Sequence, residues 1–182
     1  MPAGRQSLLV IAIVSDTHGI DGHRLAGRTL AAVREAELVV HAGDFTTEAV
    51  LDAFESVAGA DVGGAEFVAV TGNNETRGVR DRLPSQQVVE RAGVRLAVVH
   101  GHEHTDEALS LLGRQENAAV VVGHSHRPGV RQLGATTVLN PGSHADPRRY
   151  RAAHAELEPT DEGLSGRIRT PDGETLAEFD LP

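Results

Sequence analysis

The chain has 182 residues, which fits one domain with a buried core. It carries 17 Lys and Arg against 26 Asp and Glu, and the resulting net charge of −9 argues against broad binding to nucleic-acid phosphates. The absence of cysteine excludes disulfides, zinc fingers and thiol nucleophiles. No apolar run approaches the roughly 20 residues of a membrane span, so we expect a cytoplasmic protein without membrane or nucleic-acid partners.

Strands and helices alternate in the first half of the chain. Short β-branched runs predict buried strands, and apolar residues at helical spacing predict helices between them. A threonine at position 46 or 47 is a suitable cap for the second helix. The predicted elements are a strand at 8–14, a helix at 22–37, a strand at 38–41, a helix up to 56 and a strand at 67–71.

The second half is richer in strands. One helix is predicted at 103–114, with Ala108, Leu111 and Leu112 inward. The predicted strands are 87–89, 95–99, 118–122, a hairpin of 130–133 and 136–139, and an antiparallel series of 150–157, 164–169 and 175–179. Both kinds of sheet in one short chain predict an α/β sandwich of mixed sheets covered by helices. We expect a single domain over 1–182, with 1–6 as a flexible N-terminus.

Residues able to bind metals follow the ends of five predicted strands. In α/β sheets the carboxyl ends of the strands form the crevice where ligands bind, so these residues are expected to surround one point. The five segments are Asp16-Thr17-His18, Gly43-Asp44, Gly72-Asn73-Asn74-Glu75, His100-Gly101-His102 and Gly123-His124-Ser125-His126.

The spacing within these segments favours a shared site. In extended backbone, residues i and i+2 point to the same side, so Asp16 with His18, and His124 with His126, are each expected to present two ligands. Imidazole with carboxylate suits Mn, Zn, Fe, Co or Ni better than Ca or Mg alone. Each motif alone is more often a turn or a chance match, and the argument depends on their order after the strands.

In this order, the five motifs resemble the calcineurin-like metallophosphoesterase superfamily. Segments 124–128 and 139–143 are similar to the compact bacterial and archaeal phosphodiesterase subfamily, which is related to the retromer scaffold subunit. The resemblance covers about residues 8–150. It implies a four-layer α/β/β/α sandwich of two mixed β-sheets flanked by helices, and Asn140 is expected to hold a ligand loop in place.

The resemblance also implies a dinuclear metal centre. Two divalent ions, manganese above all, would support hydrolysis of a small-molecule phosphodiester by a metal-bound hydroxide. The bridging ligand would be Asp44. The resemblance assigns Asp16, His18 and His126 to the first ion, and Asn73, His100 and His124 to the second.

Four further residues receive roles near this centre. Many superfamily members have a histidine after the asparagine, thought to protonate the leaving group, but this chain has Asn74 there. His102 is a candidate substitute acid, or else a residue that packs near the site. Glu75 is expected to accept a hydrogen bond from a ligand histidine such as His18. Arg77 either binds substrate phosphate or belongs to a solvated charged loop.

Two other functions stay open at this point. A metal-poor interaction scaffold would not need a full set of ligands, and this chain keeps every ligand position. A phosphomonoesterase would use the same metals on a different ester. The natural substrate is open, and a homo-oligomer is possible.

Overall fold

The computed structural model describes residues 11–59 and 64–182. The predicted N-terminal segment 1–6 and the first part of the predicted strand 8–14 lie outside the described residues. The helices are α1 (Gly27–Glu35), α2 (Glu48–Ala58), α3 (Arg77–Arg82) and α4 (Asp106–Glu116). The strands are β1 (Ile11–Val14), β2 (Leu38–His41), β3 (Glu66–Ala69), β4 (Gln86–Arg91), β5 (Val94–Val99), β6 (Ala119–Val121), β7 (Gly129–Leu133), β8 (Thr136–Asn140), β9 (His154–Thr160), β10 (Gly163–Arg169) and β11 (Thr175–Leu181).

The strands form two mixed sheets. The first has the order β11-β10-β9-β1-β2-β3, in which β1, β2 and β3 are parallel and the other neighbours are antiparallel. The second has the order β4-β5-β6-β8-β7, with a parallel centre of β5, β6 and β8 and an antiparallel strand at each edge. The prediction of two mixed sheets is confirmed.

Three apolar clusters define the layers. Residues of both sheets, such as Ile13 and Leu139, share the central cluster. A second cluster joins the first sheet to α1 and α2 and includes Phe54. A third joins the second sheet to α4 and includes Leu109 and Leu112. The layer order is therefore helix, sheet, sheet, helix, as predicted. Within the described residues, no helix is long and apolar enough to cross a membrane.

The helix boundaries follow local signals, and the starts of two helices differ from the prediction. The Thr47 side chain caps α2 by accepting from the Val50 backbone N–H, as predicted. Helix α1 begins at Gly27 instead of residue 22, because residues 22–26 form an irregular turn in which Arg24 has φ +55°. Helix α4 begins after the cap Thr105.

The inward face of α4 also differs from the prediction. The buried residues are Leu109, Leu112 and Gly113, whereas the side chain of Leu111 faces outward and is 45% exposed. Gly113 lies against Thr136 of β8, and its lack of a side chain allows α4 to pack closely on the sheet. Helix α3 was missed because its six residues carry little apolar periodicity, and only Val79 is buried.

A buried ionic network joins α1 to β9. Both Glu156 oxygens accept from the Arg28 guanidinium, at 2.7 and 2.8 Å, and His154 Nε2 donates to the same carboxylate at 2.8 Å. His154 Nδ1 lies 2.9 Å from the Thr29 hydroxyl. Burial would raise the pKa of Glu156, but the hydrogen bonds from His154 and Arg28 lower it to about 2. The network fixes the outer helix to the centre of the first sheet.

We expect Glu156→Gln to lower the free energy of unfolding by about 3 kcal/mol at pH 7, because it removes the charge of the buried carboxylate that both Arg28 and His154 contact. Glu35→Gln is the control, since Glu35 binds the same arginine from an exposed position. It should cost less than about 1 kcal/mol. Urea denaturation of the three proteins measures both values.

The difference in unfolding free energy between wild type and Glu156→Gln should depend on pH. A carboxylate whose pKa is lowered on folding, from 4.5 to about 2 here, stabilises the fold fully above pH 4.5 and loses that effect as pH falls towards 2. The difference between wild type and Glu156→Gln should therefore be smaller at pH 3 than at pH 7. A difference independent of pH would contradict this account.

Candidate metal centre

Five loops meet at one edge of the sandwich, and each follows a parallel strand. The loops after β1, β2 and β3 come from the first sheet, and those after β5 and β6 come from the second. Parallel strands bring their carboxyl ends to the same edge, which explains why these loops converge. The structure brings together all seven residues assigned to metals: Asp16, His18, Asp44, Asn73, His100, His124 and His126.

Asp16, His18 and His126 form the first group. Asp16 Oδ1 lies 3.3 Å from His126 Nε2 and 3.7 Å from His18 Nε2, and the two imidazole nitrogens are 3.2 Å apart. These are the three residues assigned to the first ion, and their ligand atoms all lie within 4.8 Å of one another. Such separations suit a single cation held between three donors.

Asp44 lies between the first group and the second. Its Oδ2 atom is 3.3 Å from His18 Nε2 and 3.3 Å from His100 Nε2. Asp44 Oδ1 faces away and accepts from the Asn74 backbone N–H at 2.8 Å. One carboxylate oxygen equidistant from a histidine of each group has the position that a bridging ligand requires.

Asn73 joins the remaining histidines. Its Oδ1 atom lies 3.1 Å from His100 Nε2 and 3.0 Å from His124 Nδ1. Burial lowers the pKa of His124, so this imidazole is neutral at pH 7 and keeps a lone pair. The second group is thus an amide oxygen and two imidazoles, with Asp44 beside them.

The tautomers of two histidines leave lone pairs directed at carboxylates. His100 Nδ1 lies 2.7 Å from the Ala42 carbonyl oxygen, and His126 Nδ1 contacts the Asp146 carbonyl oxygen. A carbonyl oxygen only accepts hydrogen bonds, so both Nδ1 atoms carry the proton. In the neutral rings, each Nε2 lone pair then faces an aspartate oxygen. Only a cation or an added proton makes this arrangement favourable.

The pKa shifts of Asp44 and His100 agree with the need for a positive charge between the imidazoles and the carboxylates. Burial opposes the charge on Asp44, but the hydrogen bond and charge of His100 hold its pKa well below the ordinary range. Burial likewise lowers the pKa of His100, yet the Asp44 carboxylate raises it above its ordinary value overall. Asp16 Oδ1 is buried and has no hydrogen-bond partner among the described residues. The donor set therefore fits divalent metal ions.

The backbone of these loops is not extended. Asp16, His18, Asp44, His124 and His126 all have φ between +47° and +64°, in the left-handed region. The prediction that i and i+2 share a side because the segments are extended is therefore wrong in its reason, although both pairs do face the centre. Non-glycine residues in this region cost free energy and concentrate at functional sites.

Two glycines permit the close approach of the loops. A Cβ atom at Gly72 would lie 2.0 Å from Asp44 Oδ1, and one at Gly123 would lie 2.1 Å from the Ser15 hydroxyl. Neither position has room for a side chain unless an aspartate-bearing loop moves. Asn140 also holds the Gly123 loop, because its side-chain amide donates to the Gly123 carbonyl at 2.9 Å, as expected.

Glu75 has a different role from the one expected. Its carboxylate accepts from four backbone N–H groups, at 2.8 to 3.2 Å, rather than from His18. The donors are the backbone N–H groups of Asp44, Phe45, Thr46 and Gly72. The carboxylate therefore ties the loop after β2 to the loop after β3 and fixes the backbone that carries Asp44.

The other three candidates lie at or beyond the rim. The Asn74 side chain is exposed, and only its backbone N–H contacts Asp44. The ring centroid of His102 lies 5.4 Å from that of His100 and 6.0 Å from that of His124. Arg77 is the first residue of α3, is 88% exposed and pairs with Asp81 at 3.5 Å, which favours a solvated position.

Sequence reasoning missed a polar wall beneath the first group. The Thr17 hydroxyl lies 2.9 Å from His41 Nε2 and 3.0 Å from His144 Nε2, all fully or almost fully buried. Burial holds the pKa of His144 at about 3, so its ring is neutral. The Ser143 hydroxyl donates to the Asp16 carbonyl at 2.7 Å. Isolated histidines distant in sequence gave no signal of this contact.

Comparisons with known proteins agree on one family. The model of the calcineurin-like phosphoesterase superfamily domain matches residues 9–161. A probable metallophosphoesterase of Methanothermobacter thermautotrophicus is 31% identical over 145 residues, which cover 77% of this chain and 80% of the relative.

Solved structures show the same fold. A variant of Vps29 from Entamoeba histolytica superposes with a TM-score of 0.72 at 21% identity, over 94% of this chain and 99% of that one. A predicted phosphoesterase from Streptococcus pneumoniae superposes with a TM-score of 0.69 at 24% identity, over 94% of this chain and 97% of that one.

We expect Glu75→Gln to lower the free energy of unfolding by about 1–3 kcal/mol, because the new amide directs N–H groups at backbone donors and leaves them unsatisfied. The affinity for Mn²⁺ should also fall by about 10–100-fold, since the Asp44 loop loses its anchor. Glu48→Gln is the control, because the exposed Glu48 carboxylate accepts from the Thr76 hydroxyl and does not join the two ligand loops through backbone N–H groups. Equal losses in both variants, in denaturation and metal titration, would contradict the anchoring role.

Proposed function

The chain belongs to the calcineurin-like phosphoesterase superfamily, and from that membership we propose that it is a metal-dependent phosphodiesterase with a dinuclear centre. The observation that carries the proposal is a pair of buried carboxylates, each with one oxygen directed at imidazole nitrogens. Asp16 Oδ1 lacks any partner among the described residues, and Asp44 Oδ2 faces two imidazole nitrogens at equal distance. Buried charge arranged in this way calls for cations.

Each ion has its own ligands in this proposal. Asp16, His18 and His126 would hold the first ion, Asn73, His100 and His124 would hold the second, and Asp44 would be available to both. Mixed imidazole and carboxylate ligands favour Mn²⁺, with Zn²⁺, Ni²⁺, Fe²⁺ and Co²⁺ as alternatives. Bound divalent ions supply Lewis acidity, which activates a water and neutralises charge at phosphorus.

The protein's own groups keep the proposed metal ligands charged and in position. Asp44 stays ionised because its pKa is held well below the ordinary range, so its charge does not change with pH near neutrality. The Glu75 and Asn140 contacts fix the loops that carry these ligands. Pre-set ligand loops leave little reorganisation to occur during the reaction.

Protonation of the leaving group falls to His102 in this proposal. Asn74 has no ionisable proton, whereas the His102 ring lies beside His100 and His124 with 29% of its side chain exposed. An imidazole at that rim can exchange its proton with solvent between turnovers. The assignment makes the reaction sensitive to the leaving group, because a good leaving group needs no acid.

Two other functions compete with this one. A metal-poor scaffold is favoured by the structural likeness to Vps29, and a phosphomonoesterase is favoured by the shared metal centre. The scaffold does not account for seven convergent ligand atoms with two buried carboxylates. Rates on aryl monoesters and diesters distinguish the monoesterase from the diesterase.

We expect the purified chain, supplemented with Mn²⁺, to hold two ions and to hydrolyse bis(4-nitrophenyl) phosphate faster than 4-nitrophenyl phosphate. Asp44→Asn should reduce kcat/KM more than about 100-fold, since even outer partners of metal ligands cost 10–100-fold. Asp52→Asn, a change at an exposed ion pair on α2, is the matched control. Metal content near zero after supplementation, measured by elemental analysis, would favour the scaffold.

His102→Gln should slow the hydrolysis of a phenyl ester far more than that of a 4-nitrophenyl ester. The expected ratio of the two losses is at least 100-fold, the usual lower bound for general acid catalysis. Metal content should stay at two ions in this variant. Equal losses of rate for the two esters would show that His102 is not the acid and only packs near the site.

A further inference from the structure

A cavity of about 490 Å³ lies directly beside the proposed second metal position. Gly101, Gly123 and His124 line it, so its wall is built from the same loops that carry His100 and His124. The volume falls within the roughly 300–1,000 Å³ typical of small-molecule pockets. A substrate with phosphorus at the metal centre would therefore have an organic substituent within reach of this cavity.

The floor of the cavity is apolar. Leu109 of α4, Val122 and Val138 of β8 line it and are all at least nine-tenths buried. Pro128 adds an apolar surface at the side. An apolar body of ring size gains free energy by covering such a surface.

The rim of the cavity carries an arginine that has no carboxylate partner among the described residues. Of its two arginines, Arg131 pairs with Asp106 at 2.6 Å. No carboxylate of the described residues lies within salt-bridge distance of the Arg127 guanidinium. Arg127 is exposed, so its guanidinium is available to a ligand of the cavity. Guanidinium groups bind carboxylate and phosphate through paired hydrogen bonds.

A second polar atom of the cavity also lacks a protein partner. His104 lines the cavity, and its Nδ1 is buried with no hydrogen-bond partner among the described residues. Buried ring nitrogens are normally satisfied. His104 therefore adds a polar residue to the wall of the cavity, beside the apolar side chains that line it.

We propose that this cavity binds the organic substituent of the phosphoester, and that the substituent is a ring-sized apolar body carrying a second anionic group that pairs with Arg127. The inference rests on the proposed function, because it places phosphorus at the metal centre. It adds the chemical class of the substrate, which the metal centre itself does not select.

The chain offers a spectroscopic reporter for this cavity. Tyr150 lines it and is the sole tyrosine of a chain without tryptophan. An occupant of the cavity should therefore change the tyrosine fluorescence, whereas a ligand confined to the metals should not. The readout does not need turnover.

Three phosphonates test the proposal on the Mn²⁺-loaded full chain: methylphosphonate, cyclohexylphosphonate and 4-carboxycyclohexylphosphonate. Their P–C bonds resist hydrolysis, and their saturated groups do not absorb where tyrosine is excited. We expect the carboxylated ring to bind at least about tenfold more tightly than the plain ring, the factor for one charge-assisted hydrogen bond. Methylphosphonate should bind by calorimetry without changing the fluorescence.

Three variants locate the effect. Arg127→Ala should abolish the preference for the carboxylated ring, whereas Arg131→Ala should keep it, because that guanidinium is already paired. Gly129→Phe should abolish the fluorescence response to both rings. Gly129 lines the cavity and a Cβ atom there meets no atom within 4 Å, so we expect the new side chain to enter the cavity.

The possible outcomes separate this inference from the proposed function. If methylphosphonate binds the loaded chain but both rings bind equally, the cavity proposal is wrong and the metal centre stands. If the preference persists in Arg127→Ala, the second anionic group is bound elsewhere and the proposal is also wrong. If the chain takes up no metal and none of the three phosphonates binds, the proposed function itself fails.

Discussion

The centre of this structure depends on two buried carboxylates that are only half satisfied by the protein. Asp16 uses one oxygen to accept from the Ser15 hydroxyl and the His124 backbone N–H, and Asp44 uses one to accept from the Asn74 backbone N–H. The other oxygen of each carboxylate faces imidazole nitrogens. Burying a charge costs several kcal/mol unless it is compensated, so each aspartate is anchored by one oxygen and leaves the second for a cation.

The sandwich makes this arrangement possible because it gathers strand ends from two sheets. Three loops from the first sheet and two from the second reach the same edge, so no single sheet has to supply every ligand. The backbone at several ligands lies in the left-handed region, which is unfavourable for aspartate and histidine. The Glu75 carboxylate opposes that cost, since it holds two loops through four backbone N–H groups.

The sequence allowed the sheets, the four layers and the convergence of the ligand segments to be predicted. The mixed sheets and the convergence depend on apolar periodicity and on the order of motifs after strands, which are local signals, whereas the four-layer order came from the resemblance to the superfamily. The reason given for the pairing of Asp16 with His18 was wrong, because left-handed backbone has no signature at a non-glycine residue. The role of Glu75 was also missed, because a carboxylate that binds backbone N–H groups looks the same in sequence as one that binds histidine.

The cavity could not be predicted from the sequence, because local signals do not show which distant residues meet. Its apolar floor and its rim come from separate elements, and only the fold places Leu109, Val138 and Tyr150 together. The sequence does contain one relevant feature, because Arg127 directly follows His126, so one loop carries both a proposed metal ligand and the guanidinium at the rim of the cavity.

The adjacency of His126 and Arg127 has a chemical consequence. The loop after β6 carries both His126 and Arg127, so phosphorus and a second anion of one substrate would be recognised by neighbouring residues of one loop. In a chain of net charge −9, metals and Arg127 would then form a local positive region, and that region rather than the protein's overall field would attract an anionic ester.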